Sequence, residues 1–92
     1  MSNMKAELLV RARVAYAANV FAEFVLWRVH LPVPGSKHRF KYRLALVVDG
    51  ECVLRYDNEA GKGDHRHLFE NETPSRFSTP EKLIADFNQD IA

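Results

Sequence analysis

Ninety-two residues, 47% hydrophobic and 11% aromatic, suit one small domain whose limited core leaves room for stabilisation by a partner chain. No apolar run approaches the roughly 18 residues of a membrane span, residues 1–5 lack the features of a signal peptide, and a single cysteine excludes an intrachain disulfide or a cysteine-based zinc cage. The net charge of +1 hides an asymmetry that points to an electrostatic partner: residues 1–48 carry eight Lys/Arg against two acids, and residues 49–92 carry five against ten.

From Ala6 to Tyr16 the even positions Leu8, Val10, Ala12, Val14 and Tyr16 are apolar, while Glu7, Arg11 and Arg13 are charged. That alternation predicts a half-buried strand, although the alanines leave a helix open. Ala17-Ala18-Asn19 reads as a turn. Val20 to Leu31 is rich in Val, Phe and Trp and reads as a second strand. Phe21, Val25, Trp27 and Val29 mark one of its faces, with Glu23 the exception. Phe24 and Leu26 make the other face partly apolar.

Pro32-Val33-Pro34-Gly35-Ser36 breaks that strand. Phe40 to Val48 alternates again, with Phe40, Tyr42, Leu44, Leu46 and Val48 on one side and Arg39, Lys41 and Arg43 on the other. Asp49-Gly50 predicts a tight hairpin, since both residues tolerate the positive φ of a type I′ turn. Cys52 to Tyr56 returns as a fourth strand, with Cys52 read as a core residue. His65 to Phe69 would form a short fifth strand, and Asn71 to Ser75 a loop.

Ser78-Thr79-Pro80-Glu81 announces a helix, Ser78 and Glu81 fitting a capping box and Pro80 the first turn. Leu83, Ile84, Phe87 and Ile91 follow at helical spacing and suit a core. The fold expected is α+β: an antiparallel β-meander of four to five strands with a C-terminal helix packed on one face.

Two clusters carry chemistry. Arg39, Lys41 and Arg43 repeat with a period of two, a ladder of cations about 7 Å apart that matches phosphate spacing along one nucleic-acid strand. No acid lies between Glu23 and Asp49, which favours an anionic partner over a merely solvated face. Tyr16, Trp27 and Phe69 are candidates to stack on bases.

The second cluster is Tyr56 to His67, where two imidazoles, two cations, three acids and two glycines fall within twelve residues. On an extended segment His65 and His67 point to one side of the sheet. The same stretch also reads as a polar loop with solvated histidines. Neither the Walker pattern nor the dinucleotide fingerprint is present. Zinc or manganese held by His65, His67 and Asp64 or Asp57 is a weak fit to that spacing.

Metal-independent RNA cleavage needs what the stretch offers. A base takes the ribose 2′-hydroxyl proton, an acid protonates the departing 5′-oxygen, and a cation stabilises the phosphorane. Imidazole suits either proton role because it titrates near neutrality. Lys62, Arg66 or Arg43 could serve the phosphorane, and Asp57 or Asp64 could orient an imidazole.

The run Phe40 to Gly50, then Val53-Leu54-Arg55-Tyr56-Asp57-Asn58 and Gly61-Lys62-Gly63-Asp64-His65-Arg66-His67, resembles the TumE family, as does Phe77-Ser78-Thr79-Pro80-Glu81 with the helix after it. The resemblance runs roughly from Lys5 to Ile91, and its specific part is the Tyr-Asp-Asn and Lys-Gly-Asp-His-x-His segments. It implies a toxin component of a bacterial type II toxin–antitoxin pair, with a cognate antitoxin that often carries a DNA-binding domain. It leaves the toxic chemistry open.

The residues agree with an endoribonuclease in which His65 and His67 are acid and base in either order, Lys62 and Arg66 stabilise the transition state, and Arg39, Lys41 and Arg43 hold an RNA substrate. No metal or other cofactor, no membrane and a cytoplasmic location are expected, and a homodimer stays open. A binding module that docks an acidic protein through the basic strand, or a metal-dependent nuclease, are the alternatives.

Overall fold

A computed structural model describes residues 6–59 and 61–91; the reading of residues 1–5 as free of a leader falls outside it. Six strands and one helix follow in order: β1 (Glu7–Ala17), β2 (Val20–Arg28), β3 (Phe40–Val48), β4 (Glu51–Asp57), β5 (His65–Leu68), β6 (Asn71–Pro74) and α1 (Pro80–Ile91). The strands form one antiparallel sheet in sequence order, β1 and β6 at its edges. The α+β meander with a C-terminal helix is thus as the alternation predicts, with β6 in place of the expected loop at Asn71–Ser75. Polar Asn71, Glu72 and Thr73 carry no strand pattern; the turn at Phe69, with φ of 52°, returns the chain onto β5.

One face of the sheet is the core. Ala22, Phe24 and Leu26 of β2, Tyr42 and Leu44 of β3, and Leu54 and Tyr56 of β4 pack against Leu83 and Phe87 of α1. The Phe87 ring meets Phe24 and Tyr56 edge-on, with centroids 5.4 Å away in each case. Thr79 caps the helix through Oγ1, which accepts from Lys82 N at 3.1 Å, so the cap sits one residue after the expected Ser78 and Pro80 takes the first helical position.

A twelve-residue helix spans only about 18 Å. It crosses the middle of the sheet and leaves most of β1 exposed, where the alternation suggests half burial. Cys52 is exposed as well, not a core residue. It lies next to the Asp49-Gly50 turn, at the register shift opposite Val47, beyond the shelter of the helix. That turn has φ of 52° and 80°, the left-handed pair that the hairpin requires.

Polar groups fix the loops that carry β5. Asn58 is fully buried: its Oδ1 accepts from Tyr42 N at 3.1 Å, and its Nδ2 donates to Phe40 O at 2.7 Å and Ser36 Oγ at 3.2 Å. Gly35 meets Gly63 so closely that a Cβ on Gly35 would lie 2.4 Å from Gly63 N. Two glycines let the two loops touch backbone to backbone.

Candidate functional site

The face opposite the helix is open, and its register aligns charged side chains in two rows. One row runs Arg11, Val25, Arg43, Asp57, His65, Pro74 across the six strands; the next runs Arg13, Glu23, Ala45, Arg55, His67, Glu72. His65 and His67 therefore share this face, their Cα atoms about 6.7 Å apart along β5. Arg55 and Asp57 stand beside them on the same face of β4, and Arg43 lies one strand further away on β3.

The hydrogen bonds set the two imidazoles in opposite tautomers. His65 Nδ1 lies 2.9 Å from Gly63 O, a carbonyl that can only accept, so Nδ1 carries a proton and a neutral His65 keeps its lone pair on Nε2. His67 Nδ1 lies 3.3 Å from Arg55 Nη2, which can only donate, so here Nδ1 carries the lone pair and a neutral His67 bears its proton on Nε2. Asp57 holds Arg55 in place through Oδ2 to Nε at 2.7 Å, with the carboxylate side chain 15% exposed.

Lys62 joins the rim by an ion pair to Glu72 at 3.2 Å. Its hydrogen bond keeps the Glu72 carboxyl below its ordinary range, helped by the nearby histidines. Arg43 faces Glu23 at 3.9 Å, with both side chains well exposed. Lys41 pairs in register with Trp27 and, with Ala6 and Val29, they line a pocket of about 200 Å³. Arg39 precedes β3 and is exposed; its carbonyl accepts from Val29 N at 2.8 Å. Tyr16 and Phe69 are also exposed, Tyr16 in β1 and Phe69 at the β5–β6 turn, both apart from the two rows.

Two of the residues read from the sequence as catalytic lie elsewhere. Arg66 alternates with the histidines and so faces the helix, where its Nε donates to Asp90 at 2.8 Å. Tyr56 shares that carboxylate. Burial and the Asp90 partner push the Tyr56 hydroxyl up to about 12. Asp64 turns to the loops: it accepts from Tyr42 Oη at 2.9 Å and Ser36 Oγ at 3.2 Å, and lies 2.9 Å from His38 Nε2. Burial, then Asp64, raises the Tyr42 hydroxyl. Asp64 thus orients His38 rather than His65 or His67.

Sequence reasoning misses Arg55 as a site residue. Its signal is present in β4, where Arg55 and Asp57 alternate with apolar Leu54 and Tyr56. Among the described residues, no group of three or more His, Cys, Asp or Glu could hold a metal ion. No described helix is long and apolar enough to cross a membrane.

The family described as Toxin TumE matches residues 3–92. The chain belongs to the TumE toxin family. Membership puts this TumE protein among the toxins of toxin–antitoxin systems and implies a cognate antitoxin. No curated protein and no solved structure matches the chain.

Proposed function

We propose that this TumE family member is the toxin of a type II pair that acts in the cytoplasm by cleaving RNA without a metal, on the open face of its sheet. One observation carries the reading: two imidazoles on one strand, one presenting a bare Nε2 and the other an Nε2 proton in their neutral forms, beside Arg55 and with Arg43 one strand beyond.

His65 Nε2 removes the 2′-hydroxyl proton, and the 2′-oxygen attacks phosphorus. Arg43 and Arg55 take the charge that grows on the phosphorane oxygens. A bound phosphate competes with His67 for Arg55. Once the guanidinium turns to the phosphate, His67 Nδ1 is free to bind a proton, and its Nε2–H protonates the departing 5′-oxygen. Lys62 stands at the rim, where it attracts the backbone. Arg39 and Lys41 hold the strand to one side, with Trp27 next to Lys41 as a surface for a base. Arg66 and Asp64 serve the fold. The antitoxin, with a DNA-binding domain of its own, would block or distort this face.

A second reading, a surface that docks protein without catalysis, draws on the fact that Arg43, Arg55 and Lys62 each already have an acidic partner. Incubation of the purified chain with RNA separates the two. Fragments with 2′,3′-cyclic phosphate and 5′-hydroxyl ends, formed equally with a chelator present, support cleavage by this route. Growth arrest by a chain lacking both His65 and His67 would favour docking, and chelator-sensitive fragments with 3′-hydroxyl ends would favour a metal-dependent nuclease.

A further inference from the structure

The two edges of the sheet are unlike. β6 is four residues long, carries Glu72 and ends in Pro74, features that discourage pairing with another chain. β1 is eleven residues long and contains no proline, and its register to β2 is regular from Val10 to Ala15, between two bulges. Among the described residues, its outer edge is unpaired in the sheet.

The side chains of β1 are also divided. Ala12 and Val14 lie on the helix side, in register with Phe24 and Ala22, but beyond the reach of α1. Val14 is 41% exposed and Tyr16 49%. Arg11 and Arg13 lie on the opposite side, both exposed, and the Arg13 guanidinium is held 3.8 Å above the Phe21 ring. Glu7 is the one acid of the sequence before Glu23.

We propose that β1 is the docking strand for the cognate antitoxin. The partner adds a seventh strand along this edge. Its apolar side chains cover Ala12, Val14 and Tyr16, and its alternate, acidic side chains meet Arg11 and Arg13. Backbone hydrogen bonds supply affinity, and the two-sided pattern fixes register, as in other strand additions. A second copy of this chain is a poorer occupant. An antiparallel β1 pair centred on Ala12 would set Arg11 opposite Arg13 twice, and like charges directly opposite oppose pairing. The proposal rests on family membership and not on RNA cleavage.

Hydrogen exchange of the chain alone and bound to its antitoxin, the protein encoded beside it, tests this. The His65→Ala, His67→Ala chain is used, so that the result does not depend on nuclease action. Amides of residues 10–15 should exchange about tenfold or more slowly in the complex, while those of β6 stay unchanged. An Arg11→Glu, Arg13→Glu variant with unaltered circular dichroism should bind about tenfold or more weakly, the difference shrinking at high salt. A complex that leaves β1 exchange unchanged, or equal affinity in the charge-reversed variant, overturns the proposal. So does a concentration-dependent dimer of the chain alone that protects β1, which would assign the edge to a second copy.

Discussion

His38 donates through Nε2 to Asp64 Oδ1 at 2.9 Å, and the bond ties the loop after β2 to the residue before β5. The tautomer is fixed because His38 Nδ1 accepts from Phe40 N at 3.2 Å. Asp64 gathers Ser36 and Tyr42 as well, so its loss would strand three donors. Asp64→Ala should destabilise the fold by about 3 kcal/mol. Urea unfolding checks this: a lower midpoint with an unchanged slope is expected, and a change under about 0.5 kcal/mol would show the hub to be dispensable.

Replacement of His65 or His67 by Ala should lower RNA cleavage by about two to four orders of magnitude, the usual worth of general acid–base catalysis. Single-turnover assays at saturating RNA isolate the chemical step. Both side chains are only half-buried, so neither replacement should unfold the chain. Undiminished cleavage by the double variant would remove the histidines from the mechanism.

Arg55 holds His67 from one side and is itself held by Asp57. Arg55→Met keeps an apolar stem of similar reach but removes every donor. It should slow cleavage by about one hundredfold or more, the scale of a lost transition-state donor. The loss should persist at saturating RNA, because the donor acts on the phosphorane and not only on the bound substrate. A rate that recovers fully at saturating RNA would place Arg55 in RNA binding alone.

The basic ladder is tested by salt. Arg39, Lys41 and Arg43 replaced together by Ala should weaken RNA binding across unrelated sequences. The slope of log affinity against log salt should fall by about 0.7 for each phosphate that the variant no longer neutralises. An unchanged slope in a folded variant would mean that this side serves a protein instead.

Asp90 links β4 and β5 to the helix through Tyr56 and Arg66. Burial works to raise its carboxyl, but hydrogen bonds from Tyr56 and Arg66 together outweigh burial and hold it below the usual 3.8. A carboxylate depressed in the folded state stabilises the fold above its unfolded value, and that contribution is lost as pH falls through the folded value. Asp90→Asn should therefore cost about 1 kcal/mol near neutrality, since the site is partly exposed. The gap from wild type should close below about pH 4. The raised Tyr56 hydroxyl acts at the other end, its contribution fading as pH rises from 10 toward about 12. Tyr56→Phe should flatten that alkaline limb. Thermal unfolding across pH reads both, and parallel curves for wild type and variants would count against this linkage.

What is local in this protein is written in the chain. Alternation in Phe40–Val48 marks the buried and charged sides of β3, Asp49-Gly50 carries the positive φ its hairpin needs, and Leu83 with Phe87 marks the face the helix buries. A period of two likewise puts His65 and His67 on one side of β5, and puts Arg66 on the other. Which side of β2 is core is settled only by tertiary packing: both faces are apolar, and the helix covers Phe24 and Leu26 while leaving Phe21 and Trp27 to the open face. The partners of each charge are decided at the same level. Asp64 adjoins His65 in sequence yet bonds His38, twenty-six residues away, and Arg55 reaches His67 across a strand pair. Strand register and loop closure set such pairings, and both depend on packing summed over the whole sheet.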